Sequence, residues 1–233
     1  MSHEDLGALR DISLKRAAKL QQKKYREIER LFLAEGGTLI EESPEPPRQT
    51  FEKPDDIRRL STLTTPTGPV GVFPFLDISG EELISSYDRI VLLHGVQDPG
   101  NVGTAIRAAH AFGAGVALSG GCADLYNPKT VRATMGSIFH ALVAREVESL
   151  GFLESARASG FVTIAAVLGG ESTPREMPFG KLVVVIGSEG AGLPEEVAAA
   201  CERAMEIPSE ASSLNAAVAA SILLYEAYMR VLP

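Results

Sequence analysis

Four short apolar runs decide what this chain can fold into. They are residues 90–93 (IVLL), 116–118 (VAL), 161–167 (FVTIAAV) and 182–186 (LVVVI). A strand with almost no polar face must be covered on both sides, which is the condition of a parallel sheet. Segments of helical spacing lie between and after the runs, at residues 102–112, 128–135, 150–158, 195–201 and 213–232. Strand alternating with helix predicts an α/β domain built on a mostly parallel sheet. The alternation begins at Tyr87, so a boundary is expected near residues 78–88. That leaves a small unit over residues 1–80 and a larger one over 81–233. No internal repeat is visible.

Composition narrows the function classes. The charged fraction is 22% and the hydrophobic fraction 45%, ordinary values for a globular enzyme. Cys122 and Cys201 cannot make a disulfide framework, and no Cys/His spacing suggests a metal, so a reducing cytoplasm is expected. No apolar run reaches the ~20 residues a bilayer requires, and the first residues lack the apolar core of a signal peptide. A net charge of −8 argues against a nonspecific nucleic-acid coat. Charge is nevertheless uneven. Arg10, Lys15, Arg16, Lys19, Lys23, Lys24, Arg26 and Arg30 crowd the start of the chain against Asp11, Glu27 and Glu29. Leu14, Ala18, Tyr25, Ile28, Leu31 and Phe32 recur there at roughly helical intervals, which predicts one amphipathic basic helix. Such a helix is either a solvated face or an electrostatic footprint for a phosphate backbone. The following SPEPPRQTFEKPDD is expected to be a loop or linker.

Three strand ends carry unusual residues, and ligands of open parallel sheets sit beyond the carboxyl ends of strands. The first, VLLHGVQDPGNVGTAIRAAHAFGAG, places an Asn-x-Gly turn after a strand and Arg107 in the helix that follows. The second, LVVVIGSEGAGLPEE, offers Gly187, Gly190 and Gly192, which let backbone amides approach a ligand. Glu189 among them disfavours a phosphate cradle and suits a cationic or hydroxyl-bearing ligand. Neither a Walker loop nor a dinucleotide fingerprint is present. The third, MEIPSEASSLNAAVAASILLYEAYMR, places Ser213 as an expected helix cap with Asn215 in the first turn. The helix after it is apolar nearly all round, so it is buried in the core or against another subunit. His94, His110 and His140 read as structural or surface residues.

Together these segments resemble the SpoU (TrmH) family of RNA ribose 2′-O-methyltransferases, within the SPOUT superfamily. NVGTAIRAAHAFGA is similar to the family's first motif, VIGSEGAGL to its second and IPSEASSLNAAVAASILLYE to its third. DLYNPKTVRATMGSIFH resembles the segment that connects them. LQQKKYREIERLFLAEG and LSTLTTPTGPVGV resemble the ends of the family's small RNA-binding domain, whose middle looks replaced by the proline-rich stretch.

The resemblance implies a SPOUT-type fold with a C-terminal deep trefoil knot and a reduced N-terminal domain. It implies S-adenosyl-methionine as cofactor, held by Gly187, Ser188, Gly190, Leu193, Ile207, Pro208, Ser209, Leu214 and Asn215. It implies a homodimer acting on structured RNA, rRNA or tRNA, with neither metal nor membrane. The implied catalytic set is Asn101, Arg107, Glu189, Ser213 and Asn215. RNA contacts are expected at Lys15, Arg16, Lys19, Lys23, Lys24, Arg26, Arg107, Lys129 and Arg132. Guanidinium is almost always charged in proteins, so Arg107 fits a phosphate and alkoxide clamp better than a base. The loop at residues 209–212 is shorter than in many relatives. Two alternatives remain at this level: a catalytically silent RNA-binding module of the same fold, and a nucleotide-dependent enzyme on an unknotted doubly wound sheet.

Overall fold

The computed structural model describes residues 12–230. Its first elements are α1 (Leu14–Lys19), α2 (Lys23–Glu29), β1 (Leu31–Glu35), α3 (Gly37–Glu41), β2 (Gln49–Phe51), α4 (Pro54–Leu60) and β3 (Val70–Pro74). The three strands form an antiparallel sheet in the order β1-β3-β2. There follow α5 (Gly80–Ser86), β4 (Arg89–Leu93), α6 (Pro99–Ala111), β5 (Gly115–Ser119), α7 (Pro128–Ala133), β6 (Val143–Val147) and α8 (Ser149–Ala158). The chain then gives β7 (Val162–Ala166), β8 (Leu182–Ile186), α9 (Glu195–Ala199), β9 (Arg203–Met205) and α10 (Ala216–Met229). These strands form a six-stranded sheet in the order β6-β5-β4-β8-β7-β9, with every pairing parallel.

The apolar runs are buried on both faces by alternation. Val91, Leu93, Val116, Leu118, Val184 and Ile186 join one core, with residues of α6, α7 and α10. Ile90, Leu92, Ala117, Val183 and Val185 join the opposite core, with residues of α5 and α8. Phe32 and Phe73 of the small sheet also enter the first core, so the two sheets share buried surface.

Ion pairs join the small sheet's elements to the large one. Arg26 is 3% exposed, pairs with Asp124, and donates to the Leu20 and Gln21 carbonyls at 2.8 Å each. Arg145 pairs with Glu27 at 2.9 Å and Asp77 at 3.1 Å. The Tyr126 hydroxyl donates to Asp77 Oδ1 at 2.7 Å, while its ring stacks on Phe75. Burial alone would raise the Asp77 carboxyl. The Tyr126 hydrogen bond and the Arg145 charge outweigh it and hold that carboxyl below its ordinary value. Burial and the same Asp77 push the Tyr126 phenol far up.

Several expectations are corrected here. The basic segment is two short helices followed by a strand. Arg30, at φ 52, ends α2 in a left-handed cap, and Leu31 and Phe32 then pair with β3. Arg10 lies outside the described residues. Arg26 belongs to the core junction and is unavailable to RNA. The proline-rich stretch contains the edge strand β2, paired with β3, and the start of α4, which Pro54 opens with Asp55 and Asp56 in the first turn. Asn101 and Gly103 are helical, since Pro99 opens α6 before them. The last helix is capped by Asn215, whose Oδ1 accepts the Ala217 and Val218 amides at 2.9 and 3.2 Å, and Ser213 lies before it. β6 and β9, both at sheet edges, were not anticipated.

Arg26→Met should lower the unfolding free energy by about 3 kcal/mol, because Asp124 is left charged at 10% exposure. Arg16→Met removes a pair with Glu29 in which Arg16 is 43% exposed, and should cost less than about 1 kcal/mol. Urea titration of the two variants beside the wild type checks the contrast.

Candidate functional site

The site begins where β4 and β8 end. They run side by side in register, Leu93 opposite Ile186, so the loops after them leave the sheet at one level. After β4 the chain reaches Asp98, the cap of α6, which accepts the Asn101 amide at 3.0 Å. Lys129 Nζ donates to the other Asp98 oxygen, also at 3.0 Å. The Lys129 ammonium and the Asn101 amide hold the Asp98 carboxyl below its ordinary value. Asn101 is thereby fixed in the first turn of α6.

After β8 the loop folds sharply on itself. A Cβ on Gly187 would stand 2.2 Å from the carbonyl carbon of Gly192, so no other residue fits without moving the loop. The Gly192 amide closes the turn on the Ser188 carbonyl at 2.9 Å. The turn aims Glu189 back at α6.

There the three strand-end segments meet. Asn101 Nδ2 donates to Glu189 Oε1, and Asn215 Nδ2 donates to Asn101 Oδ1 at 2.9 Å. Asn215 Oδ1 is taken by the first amides of α10. The result is one directional chain of hydrogen bonds, from the α10 N-terminus through both asparagines to a carboxylate. Both amide orientations are set by it.

Beside the chain lies a cavity of about 520 Å³, at the carboxyl ends of β8, β7 and β9. Its walls are residues 166–168, 186–193 and parts of 205–219. Gly187, Ser188, Gly190, Leu193, Ile207, Ser209 and Leu214 line it, as do Glu189 and Ser213. Pro208, Asn101 and Asn215 are outside the lining. No lysine or arginine lines the cavity, while Glu189 and Glu206 do. Such a cavity accepts a neutral or cationic ligand and rejects a phosphate. Sequence reasoning missed the wall at residues 166–168. The signal available was Leu168-Gly169-Gly170, a second glycine break directly after an apolar strand. Gly170 is required there: a Cβ would come within 2.6 Å of the Glu206 nitrogen.

Arg107 is exposed and makes no hydrogen bond or ion pair among the described residues. It stands about 9 Å along the α6 axis from Asn101 and about 120° around the helix from it. Lys129 is 60% exposed, with Asp98 as its partner. Arg132 is partly exposed and reaches back to Thr62 at 3.1 Å and Glu35 at 3.7 Å, linking α7 to the small unit. Arg16 pairs with Glu29, and Lys23 lies 3.3 Å from Glu146. Lys15, Lys19 and Lys24 are exposed without a carboxylate partner among the described residues. No cluster of metal-ligating side chains occurs among the described residues.

Comparison with known proteins fits this geometry. A family model described as the SpoU rRNA Methylase family matches residues 88–225. The 23S rRNA (guanosine(2553)-2′-O)-methyltransferase RlmP of Bacillus subtilis (strain 168) is 31% identical over 230 residues, covering 89% of this chain and 92% of that protein. The crystal structure of an AdoMet-bound rRNA methyltransferase from Sinorhizobium meliloti superposes with a TM-score of 0.83 at 31% identity, covering 94% of this chain and 95% of that one. The SpoU methyltransferase AviRb from Streptomyces viridochromogenes, in complex with AdoMet, gives 0.79 at 27% identity, covering 94% and 98%.

Asn101→Asp tests the hydrogen-bonded chain. It sets a second carboxylate against Glu189, so that two like charges repel in the folded state at neutral pH. The cost, about 1 kcal/mol at pH 7, should fade as pH falls through about 4 and the carboxyls protonate. Urea unfolding of variant and wild type at the two pH values measures it.

Proposed function

Because the chain belongs to the SpoU rRNA methylase family, we propose that it is an S-adenosyl-methionine-dependent methyltransferase acting on a ribose 2′-hydroxyl of RNA, ribosomal RNA foremost. The observation that carries this reading is the Glu189–Asn101–Asn215 chain, set beside a cavity without cations.

The cavity fits the cofactor in chemistry and shape. Residues 187–193 and 207–214 present backbone groups for an adenosine, and Leu168, Ile207 and Leu214 supply apolar walls. Glu189 and Glu206 match a ligand that carries a sulfonium and an ammonium. When bound, the cofactor supplies an electrophilic methyl group. Residues 187–193 and 207–214 would hold that group beside the ribose, so that its transfer to the 2′-oxygen would leave the neutral thioether in the cavity and release the hydroxyl proton to water. Orientation does most of this work and no metal is required. Arg107 clamps an RNA phosphate and stabilises the negative charge developing on the ribose oxygen. Asn101 and Asn215 hold Glu189 at the cavity rim, and Ser213 lies on the same rim. The exposed lysines at positions 15, 19, 23 and 24 attract RNA over a longer range, with the small N-terminal unit as docking module and the cytoplasm as the place of action.

The proposal includes two features of assembly. The close backbone approach of Gly170 to Met205 and Glu206, some 35 residues on, supports a threaded, knotted C-terminal chain, an exception to the usual rule. The outer face of α10 supports a homodimer. Val218, Tyr225 and Met229 are 44–46% exposed on one stripe of that helix. Tyr225→Glu with Met229→Glu should give a monomer by light scattering at micromolar concentration, where the wild type is a dimer.

Calorimetry should show S-adenosyl-methionine or its demethylated product binding to the metal-free protein. Absence of binding would favour the silent RNA-binding module. Single-turnover methylation of rRNA should then slow on the order of 100-fold or more in Arg107→Ala at saturating RNA, with cofactor affinity nearly unchanged. An undiminished rate in that variant would refute the assignment of Arg107.

A further inference from the structure

Arg107 shares a stripe of α6 with Gly103 and His110, at helical spacings of four and three residues. Both ends of the stripe are anchored. At Gly103 the helix lies against α7, where a Cβ would meet Ala133 at 2.5 Å and the Thr130 carbonyl at 2.7 Å. At His110 it meets the next segment of the same excursion: Nδ1 is 3.1 Å from Ser137 Oγ, and the ring stacks on His140 with centroids 4.8 Å apart and planes 14° from parallel. Residues 134–136 therefore run past Arg107. Among them Met135 is 60% exposed and held at φ 49, a left-handed conformation that a bulky side chain rarely adopts.

The two imidazoles are fixed before any ligand arrives. Ser137 orients His110, and Glu42, at the end of α3, lies 3.2 Å from His140 Nε2. Both histidines are nevertheless solvent-exposed. Burial lowers the His110 pKa, the His140 charge lowers it further, and Glu42 opposes both. At neutral pH His110 is therefore an uncharged flat ring. Neither the fold's core nor the methyl-transfer chemistry uses this pair.

We propose that His110 and His140 form a stacking platform for an unpaired base of the substrate RNA, next to the phosphate held by Arg107. This rests on the RNA reading given above. Sequence-specific RNA recognition works on unstacked bases laid against aromatic or imidazole rings. A base laid against the exposed His110–His140 pair extends a stack that is already built, and Met135, exposed in the segment between α7 and Ser137, adds apolar surface nearby. Three residues, just under one helical turn, separate His110 from Arg107, about 4.5 Å along the axis, which is the scale of one nucleotide step. The platform thus selects RNA in which a nucleotide close to the target ribose is free of its helix.

The test is methylation and binding of rRNA by wild type, His110→Ala and His110→Phe, with cofactor affinity and thermal unfolding as folding controls. His110→Ala should raise the KM for RNA about 5-fold or more, with cofactor affinity unchanged. His110→Phe keeps a flat ring and should restore a KM close to that of the wild type. A wild-type KM in His110→Ala overturns the platform while leaving the methyltransferase reading intact. A defect in His110→Phe equal to that of alanine also overturns it, since the ring would then matter for its nitrogens. Wild-type protein that neither binds nor methylates rRNA overturns the function and the platform together.

Discussion

The in-step pairing of β4 with β8 is the constraint on which the site depends. Both strands are apolar on both faces, and alternate residues enter opposite cores. A slip of one residue would exchange the two sets, so burial locks the register. With Leu93 opposite Ile186, the loops that follow must emerge together. That is how Asn101 and Glu189, 88 residues apart in sequence, come within a hydrogen bond.

The sequence disclosed the buried half of this design more fully than its edges. β4, β5, β7 and β8 are apolar on both faces, and such runs are legible at any position in a chain. β6, with the sequence VAREV, carries Arg145 and Glu146 because it borders the small unit, and its mixed pattern hid it. β9 is a three-residue edge strand that pairs with β7. In the basic N-terminal segment, Leu31 and Phe32 continue a helical spacing by chance. What ends α2 is the demand of β3 for a partner, a tertiary effect with no local sign. Arg26 looked like its lysine neighbours, and only the position of Asp124 shows that it is interior. In the candidate site the glycine loop and Asn215 were legible from residue type. Residues 166–168 were not, since a cavity wall at the end of an apolar strand looks like more strand.

Charge is divided within the molecule by task. The cavity is lined by carboxylates without cations, whereas the exposed lysines of α1 and α2 lie on the small unit. A net charge of −8 is thus compatible with attraction to a polyanion, because the favourable field is local and the remaining surface repels misplaced contacts.

The side-chain hydrogen bond from Asn215 to Asn101 spans 114 residues, so Asn215 is synthesised well after the helix it orients. Domains fold from the N-terminus as they leave the ribosome, so β4, β5 and the small sheet can form while Asn215 is still inside the exit tunnel. A nascent or prematurely stopped chain can therefore hold most of the fold and still lack the cap of α10, the orientation of Asn101 and the third wall of the cavity. The site is therefore completed only when residues far apart in the sequence have all been made.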